Sequence, residues 1–586
     1  MHTGHLSFGD HAMIRPASHA FSPSRRSILK TAGLTLGASM LPLASSFGQA
    51  AATPARYRRY NASSKMGARM LESYARAVRA MLALPPEDPR NWYRHAMVHT
   101  LDCPHGNWWL LPWHRGYLGW FEQICRELSG DPQFALPYWD WTTEQKVPSG
   151  MFDDVLDPNH PAYIPNAQEF EQRIKTALVN SGYWTSPGGV FNRNTQYGQL
   201  LIRKFRFADD ILFDIVGDPS GPLFYEQSRA RGIRRELPAL SAATIDAVSP
   251  ATIQAALAAP DFLTFGSLKS ANHHTMAGFS IIEGRAHNSI HRCVGSRDCN
   301  FMDAQGFMTN FLSPIDPIFF LHHANLDRLW DVWTRKQQRL GLPFLPSGVE
   351  LRTDLPDDQK SEEERNTDYY RWAREPVLFF VDSQGRPVSK TRAEDYARME
   401  AFGYDYEPGF GEEAVQRAAS QPQALRATRR VYAGKVQNRL VAADKPASAT
   451  VQLPAGVVGQ GVVAQGLAAQ GGAGTTLVAN ITLNFMEMTH DAFVVILNGP
   501  DDPSGVEPGS PFYLATITMI GGHGTCGALS YALPLGEKLG QARTAQALAG
   551  DGALRLRVLP MHAMMGHHGM GGDNPVELLA VNVESY

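Results

Sequence analysis

This sequence predicts a mainly α domain, a helical bundle, followed by a C-terminal all-β, sandwich-like domain. Three observations lead there. Apolar residues recur at helical spacing through the first four hundred residues, histidines gather on those same segments, and from about residue 430 short β-prone runs appear, split by Gly and Pro. The division expected is 1–52 as an export segment, 53–425 as the helical domain and 426–586 as the β domain, with a Gly/Ala-rich loop at 454–474.

The elements follow in order. Near the N-terminus "SRRSILKTAGLTLGASMLPLASSFGQAAA" joins Arg25 and Arg26 to a weakly apolar stretch and an Ala-rich end, the pattern of a twin-arginine signal. The run from Ile28 to about Leu43 contains several Gly, Ser and Thr residues and is short for a membrane span. Export to the periplasm or beyond, without stable membrane insertion, is therefore expected. "MGARMLESYARAVRAMLAL" places Met66, Met70, Tyr74, Val78 and Met81 on one helical face and stops before Pro85 and Pro86. "PWHRGYLGWFEQICRELSG" reads as a second helix, with Pro112 near its first turn and Gly130 just past its end. In "SPIDPIFFLHHANLDRLWDVWTRKQQRLG" Asp316 suits the N-cap, Pro317 the first helical position and Gly341 the stop. Beyond the Gly/Ala loop, "TTLVANITLNF", "AFVVILNG", "FYLATITMIG", "ALRLRVLP" and "VELLAVNV" read as strands.

A chain of 586 residues with a formal net charge of −3 and a 44% apolar fraction has neither the basic stripe of a nucleic-acid binder nor an acidic tail. Its partners are expected to be small molecules, with room for a homo-oligomer. Five cysteines, an odd number for an exported chain, leave one over; Cys293 and Cys299 are near enough in sequence to close a small loop.

Two histidine groups carry the chemistry. His95, His99, His105 and His114 form the first, within "HAMVHTLDCPHGNWWLLPWHR". In the second, "EGRAHNSIH" sets His287 and His291 four apart, on one face of a helix, and "FFLHHANLDRLW" supplies His322 and His323. Two sets of three imidazoles suit a two-metal centre of copper, zinc, iron or nickel and disfavour magnesium or calcium, which prefer oxygen. No His-Glu-x-x-His motif of a zinc hydrolase is present.

With these motifs the sequence resembles the tyrosinase and polyphenol oxidase family, in a bacterial form with a C-terminal lid-like domain. "CPHGNWWLLPWHR" resembles the family's first copper motif, and "HNSIH" with "SPIDPIFFLHHANLDRLW" resembles the second. "GYDYE", ending at Glu407, resembles the tyrosine motif that closes the catalytic domain. The resemblance implies two copper ions, one held by His99, His105 and His114 and the other by His287, His291 and His323. It leaves His95 as a nearby partner or as the alternative to His99, and His322 as a packed neighbour. It implies a thioether between Cys103 and His105, and small phenolic substrates oxidised with dioxygen as co-substrate. Monophenols would be hydroxylated at the ortho position and o-diphenols oxidised to o-quinones. Glu283 and Asn288 resemble the pair that holds a proton-accepting water, while Glu283 pairing with Arg285 or Arg292 is the plain alternative. Phe319, one turn before His323, can stack on a substrate or on an imidazole, and Arg292 would stand at the mouth to attract carboxylates. Asp327 is expected to bond a histidine or Arg328. The β domain resembles the lid that keeps longer relatives latent, and its "MHAMMGHHGMGG" (561–572) reads either as a copper-loading loop or as a solvent-exposed insertion. A catechol oxidase with little hydroxylase activity and a hemocyanin-like dioxygen carrier are the alternative functions.

Overall fold

The structure is a computed structural model that describes residues 56–175, 230–346, 368–420, 429–442, 446–454, 457, 476–486, 492–520, 527–544, 552–564 and 576–586. The export segment, nearly all of the Gly/Ala loop, most of the Met/His stretch and Cys526 lie outside the described residues.

Helix α1 (Lys65–Ala83) starts where the Ser64 side chain accepts from the Gly67 amide at 3.0 Å. Its apolar stripe, Met70, Tyr74, Val78 and Met81, is buried against α3 (Leu110–Ser129), while Met66 at the N-terminal end stays exposed. Gly130 ends α3 at φ 66°, a left-handed turn that a Cβ would strain. Between them α2 (Trp92–Asp102) is buried on every side, the condition of a helix at the centre of a bundle. A π-helical turn (Ile282–His287) runs into α4 (Asn288–Gly295), where the sequence pattern suggests a plain helix. The Cys293–Cys299 disulfide closes the loop that follows. Helix α5 (Ile318–Arg339) begins one residue later than expected, with Pro317 as cap and Asp316 accepting from the Ile318 amide at 3.1 Å. Phe320 of α5 stacks on Phe121 of α3, ring centroids 3.6 Å apart.

Strand β1 (Tyr57–Arg59) pairs in parallel with β3 (Tyr404–Tyr406), so the two ends of the helical part are fastened together. At this seam the buried Arg59 bonds Glu122 at 2.7 Å and the Tyr406 hydroxyl at 2.8 Å. Asp327 joins the same network, bonded by Arg115 Nε at 2.6 Å and by the hydroxyls of Tyr404 and Tyr406. Among the described residues it bonds no histidine and does not pair with Arg328, contrary to expectation, because four donors, Arg59, Arg115, Tyr404 and Tyr406, converge on its carboxylate.

The β part is one curled ladder. Its strands are β2 (Gly278–Phe279), β4 (Arg430–Asn438), β5 (Leu440–Val441), β6 (Ala447–Gln452), β7 (Leu477–Phe485), β8 (Phe493–Leu497), β9 (Tyr513–Ile517), β10 (Gly527–Pro534), β11 (Ala553–Pro560) and β12 (Val576–Ser585). They run in the order β2-β10-β7-β12-β4-β6-β11-β8-β9, with β5 beside β12 and a register shift where β4 meets β6. Alternating burial along β7 and β12 turns one face into a core of its own. The five expected strands are present. The sequence pattern gives no notice of β4, β6 and β10, whose apolar alternation is diluted by Ala, Ser and Gly. Nor does it show that Gly278–Phe279, from the helical part, pairs in parallel with β10 and so splices the two parts together. Among the described residues no helix is long and apolar enough to cross a membrane.

Candidate metal centre

Helices α2 and α3, with the loop between them, present the first histidine group; the π-turn, α4 and α5 present the second. In the first, ligand atoms of His99, Cys103, His105 and His114 lie within 4.8 Å of one another. In the second, the same holds for His287, His291, His322 and His323. All are buried. The groups interleave: His114 stacks on His323 with centroids 4.0 Å apart and rings 8° from parallel, and His105 lies 5.7 Å from His287.

Four imidazoles are oriented by an oxygen acceptor. Nδ1–H of His99 donates to the Phe311 carbonyl (2.8 Å), that of His114 to Leu110 (2.8 Å) and that of His291 to Met308 (2.7 Å). His287 donates to the side-chain oxygen of Asn288 (2.9 Å). Each bond fixes the tautomer and leaves Nε2 as a lone pair directed into the pocket. His291 Nε2 and His323 Nε2 face each other at 3.1 Å, and His287 Nε2 is buried with no hydrogen-bond partner among the described residues. Burial pushes His287 down to about 4, and burial with mutual repulsion holds His114, His291, His322 and His323 well below the usual imidazole range. Neutral rings with converging lone pairs in a buried pocket fit a pair of borderline cations such as copper or zinc.

His95 stays outside this pocket, its ring set edge-on to Phe121 at 5.1 Å. His322 does not: one residue from His323, it nevertheless reaches the second group, with both ring nitrogens buried and without a hydrogen-bond partner among the described residues. The 100° between adjacent helical residues is not enough to turn it away. Cys103 Sγ stands 3.8 Å from His105 Nε2 and 3.5 Å from His114 Nε2.

Glu283 pairs with neither Arg285 nor Arg292. Its carboxyl accepts from the Gly106 amide at 2.6 Å and from the Ser267 hydroxyl, and burial raises it to about 8. Gly106 sits at φ 62° with Met276 and Phe279 packed where a Cβ would project, so this close approach needs glycine. Asn288 gives its oxygen to His287 and donates its amide to the Thr518 carbonyl at 3.0 Å. Phe319 is fully buried among the imidazoles, 4.1 Å from the His323 ring and 5.0 Å from His99. Arg292, expected to be open at the mouth, is buried and donates from Nε to the Phe301 carbonyl at 3.0 Å. Trp108, Trp109 and Trp113 are buried in the surrounding wall and Trp120 is partly so.

The C-terminal sheet closes over the second group. Besides Asn288, Arg285 donates to the Thr516 carbonyl at 3.2 Å and pairs with Asp246, which Lys538 also reaches at 2.8 Å. Ser267, Thr518 and Asp246 have no signature in sequence, since two act through spacing far from the motifs and one through its backbone.

Residues 86–336 match the family model described as the common central domain of tyrosinase. (+)-Larreatricin hydroxylase of Larrea tridentata is 28% identical over 304 residues, 49% of this chain and 42% of that protein. A polyphenol oxidase of Malus domestica is 25% identical over 402 residues, 66% of this chain and 53% of that protein. The chain thus spans about half the length of these curated relatives. A solved latent aurone synthase is 20% identical, with coverage of 91% of this chain and 90% of that one and a TM-score of 0.49. The segment that carries both histidine groups is thus similar to the common central domain of tyrosinase and to the matching part of polyphenol oxidases.

Proposed function

We propose that this chain is an exported, copper-dependent oxidase of phenols, which hydroxylates monophenols at the ortho position and oxidises o-diphenols to o-quinones with dioxygen. The observation that carries the reading is the convergence of two buried imidazole groups, with four Nδ1–H bonds fixing the direction of Nε2. His99, His105 and His114 would hold one copper, and His287, His291 and His323 the other. A bound copper pair supplies two-electron redox chemistry between dioxygen and a phenol. The Cys103 sulfur, within 4 Å of the His105 ring, supports a thioether that would lock that imidazole.

A phenol has a pKa near 10 and must lose its proton to react, so a base has to stand near the pocket. Glu283 and Asn288 are the candidates, but each is engaged in this arrangement: Glu283 by Gly106 and Ser267, Asn288 by His287 and Thr518. That supports a latent state, in which Thr518, the residue directly after β9, occupies the Asn288 amide and hydroxylation waits on its departure. The test is copper analysis with oxygen uptake on tyramine and on a catechol, before and after mild proteolysis. Two coppers per chain and uptake on both substrates after proteolysis are expected. Uptake on the catechol alone would assign a catechol oxidase, and reversible dioxygen binding without phenol turnover a carrier.

A further inference from the structure

Outside the histidine pocket, a second cluster joins the buried Asp102 and His273 to the part-buried Glu375. His273 is 2% exposed. Its Nε2 lies 3.0 Å from Asp102 Oδ1 and its Nδ1 2.5 Å from Glu375 Oε1, while its own amide also donates to Glu375 at 2.9 Å. Ligand atoms of Asp102, His273 and His274 gather within 4.8 Å, yet both ring nitrogens of His273 already face a carboxylate at hydrogen-bond distance. The arrangement is that of an imidazolium between two acids. In agreement, the two carboxylates outweigh burial and raise His273 to about 9.

The placement of this residue gives it a consequence for the metal pocket. Asp102 ends α2, immediately before Cys103, and its other oxygen accepts from Trp113 Nε1 and from the Leu378 amide, both at 2.8 Å. Trp113 adjoins His114. On the far side of the loop, Asn107 Nδ2 donates to the His273 carbonyl at 2.9 Å and to the His105 carbonyl at 3.1 Å. One residue therefore fastens both ends of the loop Cys103-Pro104-His105-Gly106, by its ring on one side and its carbonyl on the other.

We propose that His273 is a positioning residue for the first histidine group: it staples the loop between Asp102 and Asn107 and so sets where Cys103 and His105 stand. Its effect on copper rests on the function proposed above; its effect on the loop does not. The test uses the full chain as wild type, His273→Gln and His273→Ala. Gln keeps a donor toward Asp102, whereas Ala removes the cation that stands between the buried Asp102 and the part-buried Glu375. Hydrogen exchange on the metal-free proteins is expected to quicken by about tenfold or more over residues 102–107 in His273→Ala, with residues 288–295 unchanged and Gln restoring part of the protection. Copper content should fall from about two to about one per chain in the Ala variant. Loop exchange and copper content equal to wild type in both variants would overturn the proposal, as would quickening spread evenly over the chain. If the wild type holds no copper while the local exchange still responds, the functional reading fails and the staple stands.

Discussion

At the scale of single residues, the protein itself orients the imidazoles of the pocket: three backbone carbonyls and one amide oxygen take the Nδ1–H of His99, His114, His291 and His287. Replacing His287 with Ala should therefore remove about half the bound copper, read as metal per chain, while the first group keeps its own. Asn288→Leu deletes the acceptor behind His287 and should weaken copper binding by about 10–100-fold in a chelator competition. His273 makes a pH prediction. Facing Asp102 and Glu375, and packed on the His274 ring at 3.8 Å, it has a folded pKa raised to about 9 from an ordinary value near 6.5. The charged form is the one the fold favours, so its contribution, on the order of 3 kcal/mol, is full below about pH 6.5 and lost as pH rises through about 9. Urea denaturation of wild type and His273→Gln should show a stability gap at pH 6 that closes by pH 10. The imidazoles themselves are legible in the sequence, because His-x-x-x-His and the flanks of His105, His114 and His323 mark them. Their partners are not: Phe311 and Met308 contribute only carbonyls, which any residue type could offer. Asp327 and Arg292 resist reading for a related reason, since the groups that engage them lie far away in sequence or in the backbone.

At the scale of elements, the site is held between a π-turn and a strand from the opposite end of the chain. The π-turn Ile282–His287 carries both Glu283 and Arg285, and Arg285 grips the Thr516 carbonyl of β9 while Asp246 balances its charge. Asp246→Ala would leave a buried guanidinium without its carboxylate, a change that costs about 3–5 kcal/mol when the ion is fully enclosed. It should release the sheet from the helical part at lower denaturant, and the oxygen uptake unmasked by mild proteolysis should begin at a lower protease concentration than in wild type. Elements with strong periodicity, α1, α3, α5, β7 and β12, are readable because one face of each is apolar. Strand β2 is not, since two residues paired with β10 leave no period to detect, and the π-turn differs from an α-turn by a hydrogen-bond offset that side-chain spacing does not record.

At the scale of the whole molecule, β1 and β3 tie the ends of the helical part, the curled sheet covers the second histidine group, and β2 joins the two. A ligand bound only by the folded chain stabilises it, by about 4 kcal/mol at a thousand times its dissociation constant, so stripping copper should lower the thermal midpoint and restoring copper should return it. The two-part architecture follows from helical spacing and β-prone runs in the sequence, whereas the latch between the parts depends on Asp246, Lys538 and Thr518, which meet only in the folded chain. The most direct measurement is an anomalous difference map at the copper edge from crystals of the copper-loaded protein. Two peaks about 3.5–4 Å apart, one against His99, His105 and His114 and one against His287, His291 and His323, are expected. A single peak, or copper seated away from these rings, would contradict the dicopper centre and the phenol chemistry built on it.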